Sequence, residues 1–69
     1  MELRVIEKKV LGALLILSNE VLEVKTSNAE IARTMGYKAS GGAITFALDA
    51  LEMKNYINLE GKGHYKVLI

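Results

Sequence analysis

Between Ser27 and Asn55 the chain is punctuated so closely that two short helices joined by a tight turn are the natural reading. Ser27-Asn28-Ala29-Glu30 is an S-x-x-E capping box, which satisfies two orphan amides at a helix start. The helix that follows turns Ile31, Ala32 and Met35 inward. It stops after about nine residues at Gly36, the residue type that best tolerates a left-handed exit. Lys38-Ala39-Ser40-Gly41-Gly42 then reads as a turn, with Ser40 capping a further helix over residues 40–54. Ile44, Leu48 and Leu51 form the apolar stripe of that helix, with Ala47 and Ala50 beside it, and Met53 reads as a core or boundary filler. Asn55 takes the left-handed exit.

The flanks complete the order. From Glu2 to about Ser18, Leu3, Ile6, Val10, Leu14 and Leu17 recur at helical spacing. Leu11, Leu15 and Ile16 widen the stripe, so this helix is expected to be buried on more than one side. One side faces the domain's own core, and Leu11 and Leu15 are expected to face a second copy. Val21–Lys25 is β-branched enough for a strand. Tyr56–Leu59 and His64–Ile69 alternate as strands, with Ile57, Leu59, Tyr65, Val67 and Ile69 on one side and Glu60-Gly61-Lys62-Gly63 as the hairpin loop. Helix–strand–helix–turn–helix–hairpin predicts an α+β fold, a winged helix-turn-helix, as a single domain over residues 1–69. Ala32 suits a close helix crossing and Gly36 the sharp turn after it.

Residues 27–57 also resemble the DNA-binding domains of LexA-type repressors and related MarR-like winged-helix regulators. Glu30-Ile31-Ala32-x-x-Met35-Gly36 and Leu48-x-Ala50-Leu51-Glu52-x-Lys54-Asn55-Tyr56-Ile57 carry the likeness. The second is similar to that family's L-x-x-L-E-x-K-G-Y-I exit from the recognition helix into the wing, with Asn55 where glycine is usual. The resemblance spans just under half the chain. It implies a cytoplasmic, sequence-specific DNA-binding protein, commonly dimeric.

Composition narrows the alternatives. A 69-residue chain holds one small core, worth roughly 3–5 kcal/mol, and this one has no cysteine to staple it. Pairing with a second copy is therefore expected. The same lack of cysteine removes thiolate metal sites and thiol nucleophiles. One histidine and no tryptophan leave no triad, metal cluster or phosphate loop to assemble, so an enzyme, a cofactor and a small-molecule ligand are not expected. The apolar run Val10–Leu17 is too short to span a bilayer. Glu2 and Glu7 in its flank, and the missing cleavage site, argue against a signal peptide and for the cytoplasm.

In a winged helix the N-terminal half of the third helix enters the major groove. By position its outward residues are Ser40, Gly42, Ala43, Thr45 and Phe46, a set without the Arg, Lys, Asn or Gln that read bases bidentately. What remains is hydroxyl chemistry at Ser40 and Thr45, and apolar contact of Ala43 or Phe46 with thymine methyls. Lys38, Ser27 and Asn28 are expected on phosphates. The net charge of +1 conceals an uneven distribution: residues 54–69 sum to +2, residues 27–53 to −1 and residues 1–26 to zero. The excess lies toward the wing (residues 56–69, which alone sum to +1), where Lys62 and His64 are expected on backbone or minor groove. Asp49 and Glu52 read as a solvated face that limits how deeply the helix enters. The expected function is a double-stranded-DNA-binding transcriptional regulator, a repressor acting as a homodimer. The alternative is a winged-helix protein-interaction module in a replication or transcription assembly, motivated by the neutral face of the third helix. The chain starts at Met1 but stops on a strand, which leaves a piece of a longer protein as a third reading.

Overall fold

A computed structural model of the chain describes residues 3–36 and 42–68. Its elements are α1 (Val5–Leu17), β1 (Glu23–Lys25), α2 (Asn28–Thr34), α3 (Gly42–Met53), β2 (Ile57–Gly61) and β3 (His64–Val67). Three helices thus pack with a three-stranded antiparallel sheet of order β1-β3-β2. The order and pairing are compatible with a winged helix. No helix among the described residues is long and apolar enough to cross a membrane.

Local chemistry sets most of the boundaries. α1 starts three residues later than its apolar spacing predicts. Arg4 is extended and its amide donates to Glu7 Oε1 at 3.2 Å, so the capping contact falls there and leaves Leu3 outside the helix. At the other end Ser18 is extended, and both its amide and its hydroxyl donate to the Leu15 carbonyl. The strand expected over Val21–Lys25 is shortened to β1 by Asn19. The Asn19 Oδ1 accepts from the amides of Val21 and Glu23, each at 3.0 Å, and Leu22 is turned to φ 62°. Ser27 caps α2 as expected, accepting from the Glu30 amide at 3.2 Å. The reciprocal half of the capping box is rerouted: the Glu30 carboxylate takes the Thr26 hydroxyl instead. α2 is seven residues, shorter than the spacing suggests, and is followed by Gly36 at φ 85°.

α3 ends in a Schellman closure. Asn55 sits at φ 64°, its amide donates to the Glu52 carbonyl at 3.0 Å, and the Tyr56 amide reaches the Leu51 carbonyl at 2.9 Å. The hairpin is tighter than its glycines suggest. β2 runs through Gly61, Glu60 is the extra residue of a bulge between Leu59 and Gly61, and only Lys62-Gly63 turns.

The core draws on every element: Val10, Ala13 and Leu14 from α1, Val24 from β1, Ile31 and Ala32 from α2, Ile44, Ala47, Leu48 and Leu51 from α3, and Ile57 and Val67 from the hairpin. Leu11 packs partly against this core, while Leu15 stays exposed. Ile57, Leu59, Tyr65 and Val67 share the helix-facing side of the sheet, through the pairs Ile57↔Val67 and Leu59↔Tyr65; Ile69 lies outside the described residues. Met53 is not a core filler. It is 83% exposed, because it stands nine residues after Ile44 and so about half a turn away from the buried stripe. Gly12 interrupts α1 at a cost of about 0.5–1 kcal/mol relative to alanine. A Cβ built on it meets nothing within 4 Å.

Candidate nucleic-acid interface

Three segments far apart in sequence meet at one corner of the molecule. At the hairpin tip, Gly63 adopts φ 68°, which L side chains rarely do, and a Cβ on it would stand 2.5 Å from the Thr26 carbonyl oxygen. Glycine is thus required twice, by conformation and by contact. Its own carbonyl accepts the Thr26 amide at 2.7 Å. Thr26 leads into the Ser27 cap, and Asn28, in the first turn of α2, donates from Nδ2 to Thr45 Oγ1 at 3.0 Å. The chain of contacts therefore runs from the hairpin tip through Thr26 and Asn28 to the early turns of α3.

Of the residues singled out from sequence, this corner gathers Ser27, Asn28, Thr45 and Lys62. The Ser27 oxygen is engaged by its cap. The Thr45 oxygen accepts from Asn28, and its own O–H is still able to donate outward. Lys62 is exposed in the two-residue turn, and His64 is half-buried at the start of β3. Gly42, Ala43 and Phe46 are exposed on α3, Phe46 by 76%. Lys38 and Ser40 lie outside the described residues.

Strand register adds a cation that the sequence pattern did not indicate. β1 pairs with β3 so that Lys25 stands opposite His64 and Glu23 opposite Lys66. Lys25 is exposed and joins Lys62 near the hairpin tip, whereas Lys66 has an acid across from it. Nothing local to residues 21–25 signals this, because it depends on which strand β1 joins.

The acids of α3 mark the edge of this corner. Asp49 and Glu52 line a cleft of about 230 Å³ between α3 and the sheet, together with Leu59 and Tyr65. Burial first, and then these two carboxylates, push the Tyr65 phenol above its ordinary range. Glu52 is also structural: its Oε2 accepts the Leu59 amide of β2 at 3.3 Å. Residues 42–48, by contrast, carry no acid.

A second feature was not expected from the sequence, which pointed to no small-molecule ligand. An open groove of about 820 Å³ runs between the start of α1 and α3, lined by Arg4, Ile6, Ala43, Phe46, Ala50 and Met53 among others. At its base Lys54 Nζ contacts Glu7 Oε1 at 2.7 Å, and Glu7 is only 4% exposed. The hydrogen bond from Lys54 holds the Glu7 carboxyl below the ordinary carboxylate range, against the opposing effect of burial. The pair clamps the N-terminal half of α1 to the end of α3. One sequence signal was available: Glu7 stands four residues after Leu3 and three before Val10, a charge on an apolar stripe.

Among the described residues no group of three or more His, Asp or Glu side chains converges as metal ligands would. Comparison with protein-family models, with curated proteins and with solved structures returns no match for this chain.

Proposed function

We propose that this chain is a winged helix-turn-helix regulator that binds double-stranded DNA in sequence-specific fashion, acting in the cytoplasm as a homodimeric repressor. The observation that carries the reading is the corner itself: a basic hairpin tip, the start of α2 and the acid-free half of α3, tied together by the Thr26–Gly63 and Asn28–Thr45 contacts. The small Gly42 and Ala43 let the backbone of α3 approach the floor of a major groove. The Thr45 hydroxyl donates to a base-edge acceptor, while Ala43 and Phe46 meet thymine methyls. Lys62 and Lys25 neutralise phosphates, and Asp49 and Glu52 stop the helix from entering along its whole length. Repression then requires only occupancy of an operator, with two copies setting their α3 helices about 34–36 Å apart.

Selection of bound sequences from random duplex DNA at roughly 0.1–0.15 M salt tests this. The expected result is a palindromic motif rich in thymine at the α3 contact positions. A second reading, a protein-interaction module, is favoured by the groove bearing Phe46 and Met53, 76% and 83% exposed. Failure to recover any motif, with no salt-dependent binding to DNA, would decide for it.

A further inference from the structure

The outer face of α1 carries apolar side chains and a gap. Val5 and Ile16 are 69% and 74% exposed, Leu15 is 37% exposed, and Gly12 lies among them at helical spacing. Glycine is a poor helix former, and here it stands in the middle of a thirteen-residue helix. Inside the molecule nothing calls for it, since the space where its side chain would sit is open. A missing side chain on an exposed apolar face is what lets a second helix come close.

The charges on the same helix say which helix. Arg4, Lys8 and Lys9 are exposed in or just before its N-terminal half, while Glu7 is turned inward to Lys54. The last turn holds no basic residue, and Glu20 is exposed just beyond it. α1 therefore has a basic beginning and an end that is negative both by its dipole and by Glu20. Two such helices laid parallel set like charges together. Laid antiparallel, each basic beginning meets the negative end of the other.

We propose that α1 pairs antiparallel with α1 of a second copy, crossing at Gly12 with Val5, Leu15 and Ile16 packed around the crossing. This rests on the homodimer of the proposed regulator, and not on its DNA contacts. It also shifts the interface expected from sequence: Leu15 stays in it, and Leu11 is partly buried against the core of its own chain. One face of a helix about 20 Å long falls below the roughly 800 Å² per partner of standard interfaces, so a dimer of micromolar affinity is expected.

Sedimentation equilibrium of the whole chain without DNA, from about 1 to 500 μM, should show a monomer–dimer equilibrium. Gly12→Ala is the decisive variant, because its two effects have opposite signs. The monomer's melting temperature rises, as alanine favours the helix, while dimer affinity falls at least tenfold. Ile16→Glu abolishes the dimer and leaves the fold intact. The chain has no cysteine, so orientation is read by mild oxidation of introduced ones. Glu20→Cys alone stays uncrosslinked, because the two copies of residue 20 lie at opposite ends. Val5→Cys mixed with Asn19→Cys yields the mixed disulfide. A chain that stays monomeric throughout, a Gly12→Ala dimer as tight as the parent, or self-crosslinking through residue 20 would each overturn the proposal. None of these readouts involves DNA, so the DNA reading stands or falls separately.

Discussion

The two ends of α3 are held in opposite ways. At its C-terminal end the helix is fixed by a part-buried ion pair to α1, a Schellman closure at Asn55 and a Glu52 bond to β2. Early in the helix the polar tie to α2 among the described residues is an exposed hydrogen bond, from Asn28 to Thr45, with the hairpin tip fastened next to it through Gly63. Charge divides along the same line, with acids only in the C-terminal half. A helix anchored at one end and lightly tied at the other can present its light end to a partner without losing its place in the fold.

Breaking the heavy end should cost most. Glu7→Gln removes the carboxylate beside the Lys54 ammonium in a half-buried site. The urea midpoint should fall further than in Gly63→Ala, Asn28→Ala or Lys62→Ala. The pH dependence supplies the sign. The folded-state pKa of Glu7 is lowered, so its contribution to stability is complete above the ordinary glutamate pKa of about 4.3 and disappears as pH falls through the lowered value. Urea midpoints measured from about pH 6 to pH 2 should show this acid limb in the parent and a shallower one in Glu7→Gln. Equal slopes would mean that the pair contributes nothing.

Next is Gly63→Ala, which forces a side chain against the Thr26 carbonyl at a positive φ and should destabilise by about 1–3 kcal/mol. Loss of amide-exchange protection at Thr26, with α1 and α3 still protected, would locate the damage at the hairpin tip. Asn28→Ala removes a single exposed hydrogen bond and should cost only about 0.5 kcal/mol. A destabilisation as large as that of Glu7→Gln would erase the contrast between the two ends. Lys62→Ala, exposed in its turn, should leave stability within about 0.5 kcal/mol of the parent. Its effect belongs in the salt dependence of DNA affinity, where the log–log slope should fall by about 0.9 for one phosphate no longer neutralised. An unchanged slope removes Lys62 from the interface.

What could be read from the residues, and what could not, follows the range of the interactions. The Ser27 cap, the exits at Gly36 and Asn55 and the shared face of Ile57, Leu59, Tyr65 and Val67 are decided within a few residues, and each stands as expected. The shortened β1 was decided locally as well, but by Asn19 accepting two amides at once, a pattern that propensity does not register. Lys25 beside His64, Thr26 against Gly63, and Glu7 on Lys54 at a separation of 47 residues all depend on which elements touch. Two of these three help to build the candidate corner. Its amino acids were therefore partly legible in the sequence, while its shape was not. Met53 shows the complementary case: apolar character suggested the core or its boundary, and angular position around α3 put it outside, on the surface where Phe46 was expected and also stands.

The bond from Glu52 to the Leu59 amide has a consequence for how copies of this protein meet. β2 lies at the edge of the sheet, where an unpaired donor invites a strand from another molecule, and strand-on-strand addition can repeat without end. Here the donor is already taken by a carboxylate, and the Glu60 bulge distorts the strand next to it. A strand adding to this edge would have to displace that carboxylate and follow the bulge. In the dimer proposed above, copies meet through their helices instead, where a two-fold arrangement is complete once the second molecule has arrived.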